Sequence, residues 1–227
     1  MWIYQPRPGY RFSLDPVVLA GWVLQRGVPA RVVDVGAGSG VLGLLLARAG
    51  AHVCGVDARA EWAPWARRSA AESGLEHRYS FEVGDVRDLP HRSADLVVSN
   101  PPYFSVGSGH LPADPMRAAA RHALSGDLDE LLPAMARLAP RVAVVLPLRR
   151  EHEARALLSR VDRPIAHCLR LEPRLVLLEG RQGATTEHLQ SCPLRQGTDH
   201  HPRIRALYAA AGAPLDAKAA PLPCPTQ

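Results

Sequence analysis

The residues best suited to chemistry are Asn100-Pro101-Pro102-Tyr103, which follow an apolar run at residues 94–99. The run predicts a buried strand, and the two prolines make a rigid loop at the carboxyl edge of a sheet, where α/β folds bind ligands. The Asn100 side-chain carbonyl and the Pro101 main-chain carbonyl can accept hydrogen bonds from both hydrogens of a planar amino group. Such acceptors favour the pyramidal, partly positive nitrogen of a methyl-transfer transition state. Tyr103 adds a stacking face, and an ordinary strand-ending turn is the alternative interpretation.

A second candidate site is the segment Asp34-Val35-Gly36-Ala37-Gly38-Ser39-Gly40, which follows the predicted strand Arg31–Val35 and opens a predicted helix. Glycines at alternate positions let the main chain turn tightly and approach a ligand. Asp57 ends the next predicted strand, where a carboxylate can bind both hydroxyls of a ribose. Gly38, Gly40 and Gly43 also satisfy the dinucleotide fingerprint, so this segment alone fits NAD and S-adenosylmethionine equally.

Two further acids favour S-adenosylmethionine. Asp34 stands just before the glycines, where it can hold an ammonium group but would repel the pyrophosphate of a dinucleotide. Asp85 follows the predicted strand Tyr79–Val83, where its carboxylate can accept from the exocyclic amine of adenine while the Val86 N–H donates to the ring. The alternative for Asp57 and Asp85 is that acids are common in loops after strands.

Strands and helices alternate along the chain, which predicts a parallel sheet covered on both faces. Two late predicted strands, at residues 164–171 and 175–179, are joined tightly by Glu172-Pro173 and predict an antiparallel hairpin at one sheet edge. We expect one domain over residues 1–212, in which residues 1–30 form an amino-terminal helix and lid. Residues 213–227 are rich in Ala and Pro and are expected to be disordered.

The composition limits the classes of function. A formal charge of +5 permits nucleic-acid binding. Lys218 is the only lysine among 27 basic residues; arginine suits phosphate binding, but a GC-rich genome is the favoured explanation of this bias. The four cysteines lack CxxC spacing, which favours a reducing, cytoplasmic setting. The start of the chain has no apolar signal core, and the longest apolar stretches are too short to cross a membrane. His200-His201 has no supporting ligand spacing, so no metal is expected.

The ordered set of motifs resembles the class I S-adenosylmethionine-dependent methyltransferases, in the amino-methylating branch with an Asn-Pro-Pro-Tyr loop. The resemblance covers about residues 10–180 and implies a Rossmann-like sheet of seven strands with the last strand antiparallel. It also implies that the cofactor is S-adenosyl-L-methionine and that a segment before the first strand closes over it. The implied cofactor contacts are Phe12, Asp34, Gly36, Ala37, Gly38, Gly40, Asp57, Ala58, Asp85, Val86 and Asn100.

The flanking sequences are similar to those of bacterial tRNA adenine-N6-methyltransferases. The similarity rests on two segments. One is Gly9 to Ala20, which includes the proposed lid at residues 10–15, and the other is Arg117 to Leu124, which follows the Asn-Pro-Pro-Tyr loop. The resemblance implies an RNA partner, with Tyr103, Phe104, Arg117, Arg121 and His122 as substrate contacts, although a solvated helix face is equally compatible with the last three.

Four rival functions stay open at this stage. A ribosomal guanine-N2 or a protein glutamine could be the methyl acceptor, although those enzymes generally carry an additional domain. A non-catalytic RNA-binding module with structural cofactor is disfavoured by the intact Asn100 loop. An NAD-linked dehydrogenase is disfavoured by Asp34. The oligomeric state, monomer or homodimer, does not follow from the sequence.

Overall fold

The computed structural model describes residues 1–6, 12–90, 93–101 and 128–213. Ten strands fall within these ranges. They are β1 Arg31–Val35, β2 His52–Asp57, β3 Tyr79–Val83, β4 Leu96–Ser99, β5 Arg141–Pro147, β6 Ile165–Glu172, β7 Leu175–Arg181, β8 His188–Pro193, β9 Arg195–Gln196 and β10 Asp199–His200. The described helices are α1 Asp15–Leu24, α2 Val41–Arg48, α3 Ala63–Glu72, α4 Leu128–Ala136, α5 Glu151–Arg160 and α6 Pro202–Ala210.

The main sheet has eight strands in the order β3-β2-β1-β4-β5-β7-β6-β8. The first five strands of this order are parallel, while β7 runs antiparallel to both β5 and β6. The chain therefore reverses its strand order between β1 and β4. Open α/β sheets bind ligands outside the carboxyl ends of the strands at such a switch point.

Apolar side chains alternate between the two faces of the sheet, and each face is covered by helices. Leu96 and Val98 of β4 belong to one core with α1, α2, α3 and α6, whereas Val97 belongs to the other core with α4 and α5. Strands buried on both faces read as continuous apolar runs, as Leu96–Ser99 does. This layered packing holds the carboxyl ends of the strands rigidly.

The predicted α/β fold is confirmed, with one correction to the strand count. The hairpin of β6 and β7 occurs where it was predicted, around Glu172-Pro173. The sheet nevertheless has eight strands and not seven, because β8 adds to β6 in parallel and covers the expected edge. The side chains of β8 are almost all exposed, so the strand lacks the apolar pattern from which strands are predicted.

A carboxyl-terminal unit of β8, β9, β10 and α6 follows the hairpin. Helix α6 packs on α1 so closely that a Cβ placed on Gly21 would lie 1.9 Å from the Leu207 main-chain oxygen. One histidine of the His200-His201 pair caps a helix in this unit. The His201 ring accepts a hydrogen bond from the Arg203 N–H at 3.1 Å at the start of α6. No cluster of three potential metal ligands occurs in the described ranges.

The structure places a helix within residues 1–30, as the sequence predicts. Helix α1 begins at Asp15, and the Ser13 hydroxyl accepts the Asp15 N–H at 3.3 Å. A 3₁₀ turn at Ala60–Trp62 precedes α3. The tail beyond residue 213 lies outside the described residues. No described helix combines the length and apolar character needed to cross a bilayer.

Candidate cofactor and amine site

The carboxyl ends of β1, β2, β3 and β4 are in register. Val35 of β1 pairs with Val56 of β2 on one side and with Ser99 of β4 on the other, and Asp57 pairs with Val83 of β3. Neighbouring strands lie roughly 4.8 Å apart, so Asn100, the glycine segment, Asp57 and Asp85 follow one another along a single edge. The four sequence motifs thus meet where they were predicted to meet.

The glycine segment turns sharply from β1 into α2. Gly36, Gly38 and Gly40 have φ angles of 70°, 53° and 83°, a region that favours glycine. The Gly36 and Ala37 N–H groups donate to the Val56 carbonyl at 2.8 and 3.1 Å, which fastens the turn to β2. A Cβ on Gly38 would meet nothing within 4 Å, so this face is open to a ligand.

Tyr79 explains why three positions near the turn are glycines. A Cβ would lie 2.7 Å from the Tyr79 ring or hydroxyl at Gly40 and Gly43, and 2.4 Å from the hydroxyl at Gly55. Two members of the G-x-G-x-x-G pattern therefore make room for a buried tyrosine. The same spacing in a dinucleotide-binding protein serves a pyrophosphate, so the pattern is no evidence for NAD here.

Asp34 is a buried carboxylate beneath the glycine turn. It is 1% exposed, and its Oδ2 accepts the Gly43 N–H at 2.9 Å. Burial raises the pKa of Asp34 to about 7, a shift that the Gly43 hydrogen bond opposes and the charge of Asp57 increases. A buried acid of this kind gains from a cationic neighbour, because an opposite charge stabilises the ionised form.

Asp57 ends β2 and is as deeply buried as Asp34. Its Oδ2 accepts the Gly38 N–H at 2.9 Å, and its Oδ1 accepts the Arg59 N–H at 3.0 Å. The Arg59 guanidinium also folds back onto this carboxylate, with Nε 3.2 Å from Oδ1 and Nη2 3.4 Å from Oδ2. The carboxylate that was predicted to bind ribose is therefore fixed in place from two loops.

Asp85 repeats the same turn after β3. Its Oδ1 accepts the Arg87 N–H at 2.9 Å, and the Arg87 guanidinium forks onto both carboxylate oxygens, with Nη2 2.6 Å from Oδ2. Hydrogen bonds from the Arg87 side chain lower the pKa of Asp85, although partial burial acts in the opposite direction. Arg87 also binds Glu130 of α4, and Val86 is buried beside it.

Asn100 and Pro101 stand directly after β4. The Ser99 hydroxyl donates to the Val35 carbonyl at 2.8 Å, which ties the end of β4 to the start of the glycine turn. Pro102, Tyr103, Phe104, Arg117, Arg121 and His122 lie outside the described residues, as does Tyr10 of the proposed lid. Phe12 is described and 39% exposed. The roles proposed for all these residues stay predictions.

Comparison with known proteins supports the class that these motifs indicate. A family model described as a methyltransferase domain matches residues 32–126. The predicted O-methyltransferase Atu636 of Agrobacterium tumefaciens has a similar fold, with a TM-score of 0.66 at 18% identity over 88% of this chain and 97% of that one.

The curated relatives are more specific. The tRNA1(Val) (adenine(37)-N6)-methyltransferase of Tolumonas auensis is 34% identical over 90% of this chain and 91% of its own length. The chain belongs to this methyltransferase family. It is accordingly an S-adenosylmethionine-dependent methyltransferase.

Other relatives align over a smaller share of this chain. The Aeromonas salmonicida tRNA1(Val) (adenine(37)-N6)-methyltransferase is 38% identical over 62% of this chain, and this match spans only 61% of that relative. The Rhodospirillum rubrum release factor glutamine methyltransferase is 37% identical over 56% of this chain and 39% of its own length.

Sequence reasoning missed three residues at this edge: Tyr79, Arg59 and Arg87. A signal for the arginines was present, since Asp57-Ala58-Arg59 and Asp85-Val86-Arg87 repeat the pattern Asp-x-Arg after successive strands. An aspartate that bonds the N–H two residues on forms an Asx-turn, which brings the third side chain back over the carboxylate. Tyr79 gave no signal, because only the fold brings its ring beneath the glycines.

Proposed function

We propose that this protein transfers a methyl group from S-adenosylmethionine to the N6 amino group of an adenine in tRNA, next to the anticodon. The observation that carries the proposal is the position of Asn100, which stands directly after β4, beside the glycine segment that follows β1, at the switch point of the sheet. An acceptor at that place lies beside the cofactor segment, where an amine can face a methyl donor.

The residues of the site suit the cofactor group by group. Asp34 would hold the ammonium of the methionine part, Asp57 would accept from the ribose hydroxyls, and Asp85 would accept from the adenine amine. Gly38 lets the ligand approach the main chain, since its α-carbon faces open space. When bound, the cofactor supplies a methyl group activated by a positively charged sulfur.

The acceptor half of the site works through hydrogen bonds and stacking. The Asn100 side-chain carbonyl and the Pro101 carbonyl accept hydrogen bonds from the two N–H groups of the target amine. These bonds stabilise positive charge as it develops on the nitrogen. Tyr103 stacks on the extruded base. No strong general base is needed, because the methylated nitrogen becomes acidic and loses its proton to water.

The choice of tRNA adenine over the rival acceptors rests on the share of this chain that aligns with each relative. Alignment with the Tolumonas auensis tRNA enzyme extends through 90% of this chain and 91% of that enzyme, whereas the glutamine methyltransferase of Rhodospirillum rubrum matches 56% of this chain. Similarity over nearly the whole length of both chains favours the substrate class of the tRNA enzyme. A tRNA substrate also favours a cytoplasmic location.

A panel of acceptors tests this choice. The protein is incubated with methyl-labelled S-adenosylmethionine and, in parallel, unmodified tRNA, ribosomes or release factor. We expect label in the tRNA fraction alone. Label confined to ribosomes or release factor would move the substrate to a rival, and cofactor retention without any labelled product would identify a binding module.

A further inference from the structure

The two Asp-x-Arg turns differ in where the hydrogen-bond donors of the carboxylate come from. Asp85 accepts four hydrogen bonds, all from Arg87, because the Arg87 Nε lies within reach of both carboxylate oxygens. Asp57 accepts three hydrogen bonds from Arg59 and a fourth from Gly38 in the glycine segment. A carboxylate offers about four lone-pair positions. The described donors therefore fill those of Asp57.

The ligand group assigned to Asp57 needs two of these positions. A ribose diol donates two hydrogen bonds, and Asp57 can take them only if two of its present donors leave. The Gly38 and Arg59 main-chain N–H groups belong to fixed turns at 2.9 and 3.0 Å, so they stay. The two longer bonds, at 3.2 and 3.4 Å, come from the flexible Arg59 guanidinium.

We propose that Arg59 is an internal competitor of the cofactor ribose, a role that rests on the function proposed above. Its guanidinium and the ribose diol claim the same two lone pairs of Asp57, so cofactor binding must displace the guanidinium. Arg59 has a neighbour toward which it can move, because its guanidinium carbon already lies 5.2 Å from the centre of the Trp62 ring. Arg87 is different, since Glu130 of α4 holds its other side.

The competition sets the affinity for ligands that carry the diol. Breaking two charge-assisted bonds offsets part of the gain from the two ribose bonds. Removal of the guanidinium should therefore tighten the binding of S-adenosylhomocysteine, and leave the binding of its 2′,3′-dideoxy analogue nearly unchanged. A purely structural role of Arg59 would weaken both ligands alike.

The experiment measures the dissociation constants of these two compounds by calorimetry for wild type, Arg59→Ala and Arg59→Gln. Arg59→Gln keeps most of the side chain without its charge, in case Arg59→Ala folds poorly. Arg68→Ala is the matched control, because Arg68 lies over the Tyr4 ring at 4.2 Å on the exposed side of α3. We expect about five-fold or tighter binding of S-adenosylhomocysteine in both Arg59 variants, and less than two-fold change for the dideoxy analogue and for the control.

Weaker or unchanged binding of S-adenosylhomocysteine, or equal tightening of both ligands, would overturn the competition. The failure of the proposed function is separable from this result. If the Arg59 variants show no diol-dependent change while the wild-type protein still methylates tRNA, only the role of Arg59 is wrong. If Asp57→Asn binds S-adenosylhomocysteine as tightly as wild type, the ribose assignment itself is wrong.

Discussion

The two halves of the sheet each bury an acid, and the pKa values of the two acids are shifted in opposite directions. Glu179 of β7 is 1% exposed and lies between two arginines, with Arg26 Nη2 at 2.7 Å and Arg141 Nε at 2.9 Å. Burial raises its pKa, but the two arginines more than offset this, so the pKa of Glu179 is lowered. Asp34 of β1 is equally buried and is held by one main-chain N–H, and its pKa is raised to about 7.

The difference separates an acid that stabilises the fold from one that is suited to a cation. Glu179 is satisfied by the protein itself. Asp34 keeps an electrostatic cost that a positively charged ligand can relieve. Strain of this kind at one site, beside fully paired acids elsewhere, is typical of functional residues.

The largest effect is expected at Glu179. Glu179→Ala leaves Arg26 and Arg141 facing each other without their shared carboxylate, and breaking such a buried pair costs about 3–5 kcal/mol. Urea unfolding should show this loss in the free energy of unfolding. The control Glu153→Ala removes an exposed partner of Arg150, and we expect it to change stability by less than about 0.5 kcal/mol. Equal losses of unfolding free energy in Glu179→Ala and Glu153→Ala would show that Glu179 stabilises the fold no more than an exposed acid does.

Asp34→Asn should act in the opposite direction. The asparagine can still accept the Gly43 N–H but carries no charge to desolvate. Since burial raises the pKa of Asp34 to about 7, we expect the free energy of unfolding at pH 8 to rise by on the order of a few kcal/mol. The same variant should bind S-adenosylmethionine about ten-fold or more weakly in a fluorescence titration. A destabilised protein with normal cofactor affinity would mean that Asp34, like Glu179, stabilises the fold and does not bind the cofactor.

The pH dependence of both properties follows from the raised pKa of Asp34. Between its ordinary value and about 7, the folded protein binds more protons than the unfolded chain, so this group lowers the free energy of unfolding as pH rises through that window. A cationic ligand favours the ionised acid, so S-adenosylmethionine affinity should instead rise several-fold from pH 6 to 7.5. Titrations at several pH values check this, with Asp34→Asn as the control that should lose the rise. Wild-type affinity for S-adenosylmethionine that does not change with pH would contradict the pairing of Asp34 with the ammonium group.

The smallest effect is expected at Tyr79, whose ring packs beneath the same glycines. Its hydroxyl is buried and has no hydrogen-bond partner in the part of the chain that the structure describes. Tyr79→Phe removes this group while keeping the ring, so thermal unfolding should show unchanged or improved stability, by up to about 1 kcal/mol. A loss of more than that would mean that the hydroxyl does have a partner. The glycines at 40, 43 and 55 would then have a role beyond making room for the ring.

Much of the cofactor half could be predicted from the sequence, because its signals are local. Asp34 and Asp57 lie at the carboxyl ends of β1 and β2, and Asp85 lies two residues beyond β3. The carboxyl ends of neighbouring parallel strands must meet at one edge. Their arginine partners were missed, since a turn that folds a side chain back onto its neighbour leaves little trace in composition. Glu179 was not predicted as a buried acid, because its partners Arg26 and Arg141 lie 153 and 38 residues away.

The carboxyl-terminal unit was missed for a different reason. Strand β8 is exposed along almost its whole length and pairs with β6 through main-chain hydrogen bonds. Neither alternating polarity nor an apolar run marks such a strand. Helix α6 buries little more than Ile204 and Leu207 against α1, and this pattern is too short to indicate a helix by itself.

The central claim is methyl transfer to adenine N6 through Asn100. It is tested most directly by incubating the protein with methyl-labelled S-adenosylmethionine and unmodified tRNA, followed by digestion to nucleosides, with Asn100→Ala alongside. We predict label in N6-methyladenosine, and a turnover about 100-fold lower in the variant, the usual cost of one polar contact to a transition state. The variant should keep near-normal affinity for S-adenosylhomocysteine. Label in N2-methylguanosine, or near-normal turnover of Asn100→Ala, would contradict the account.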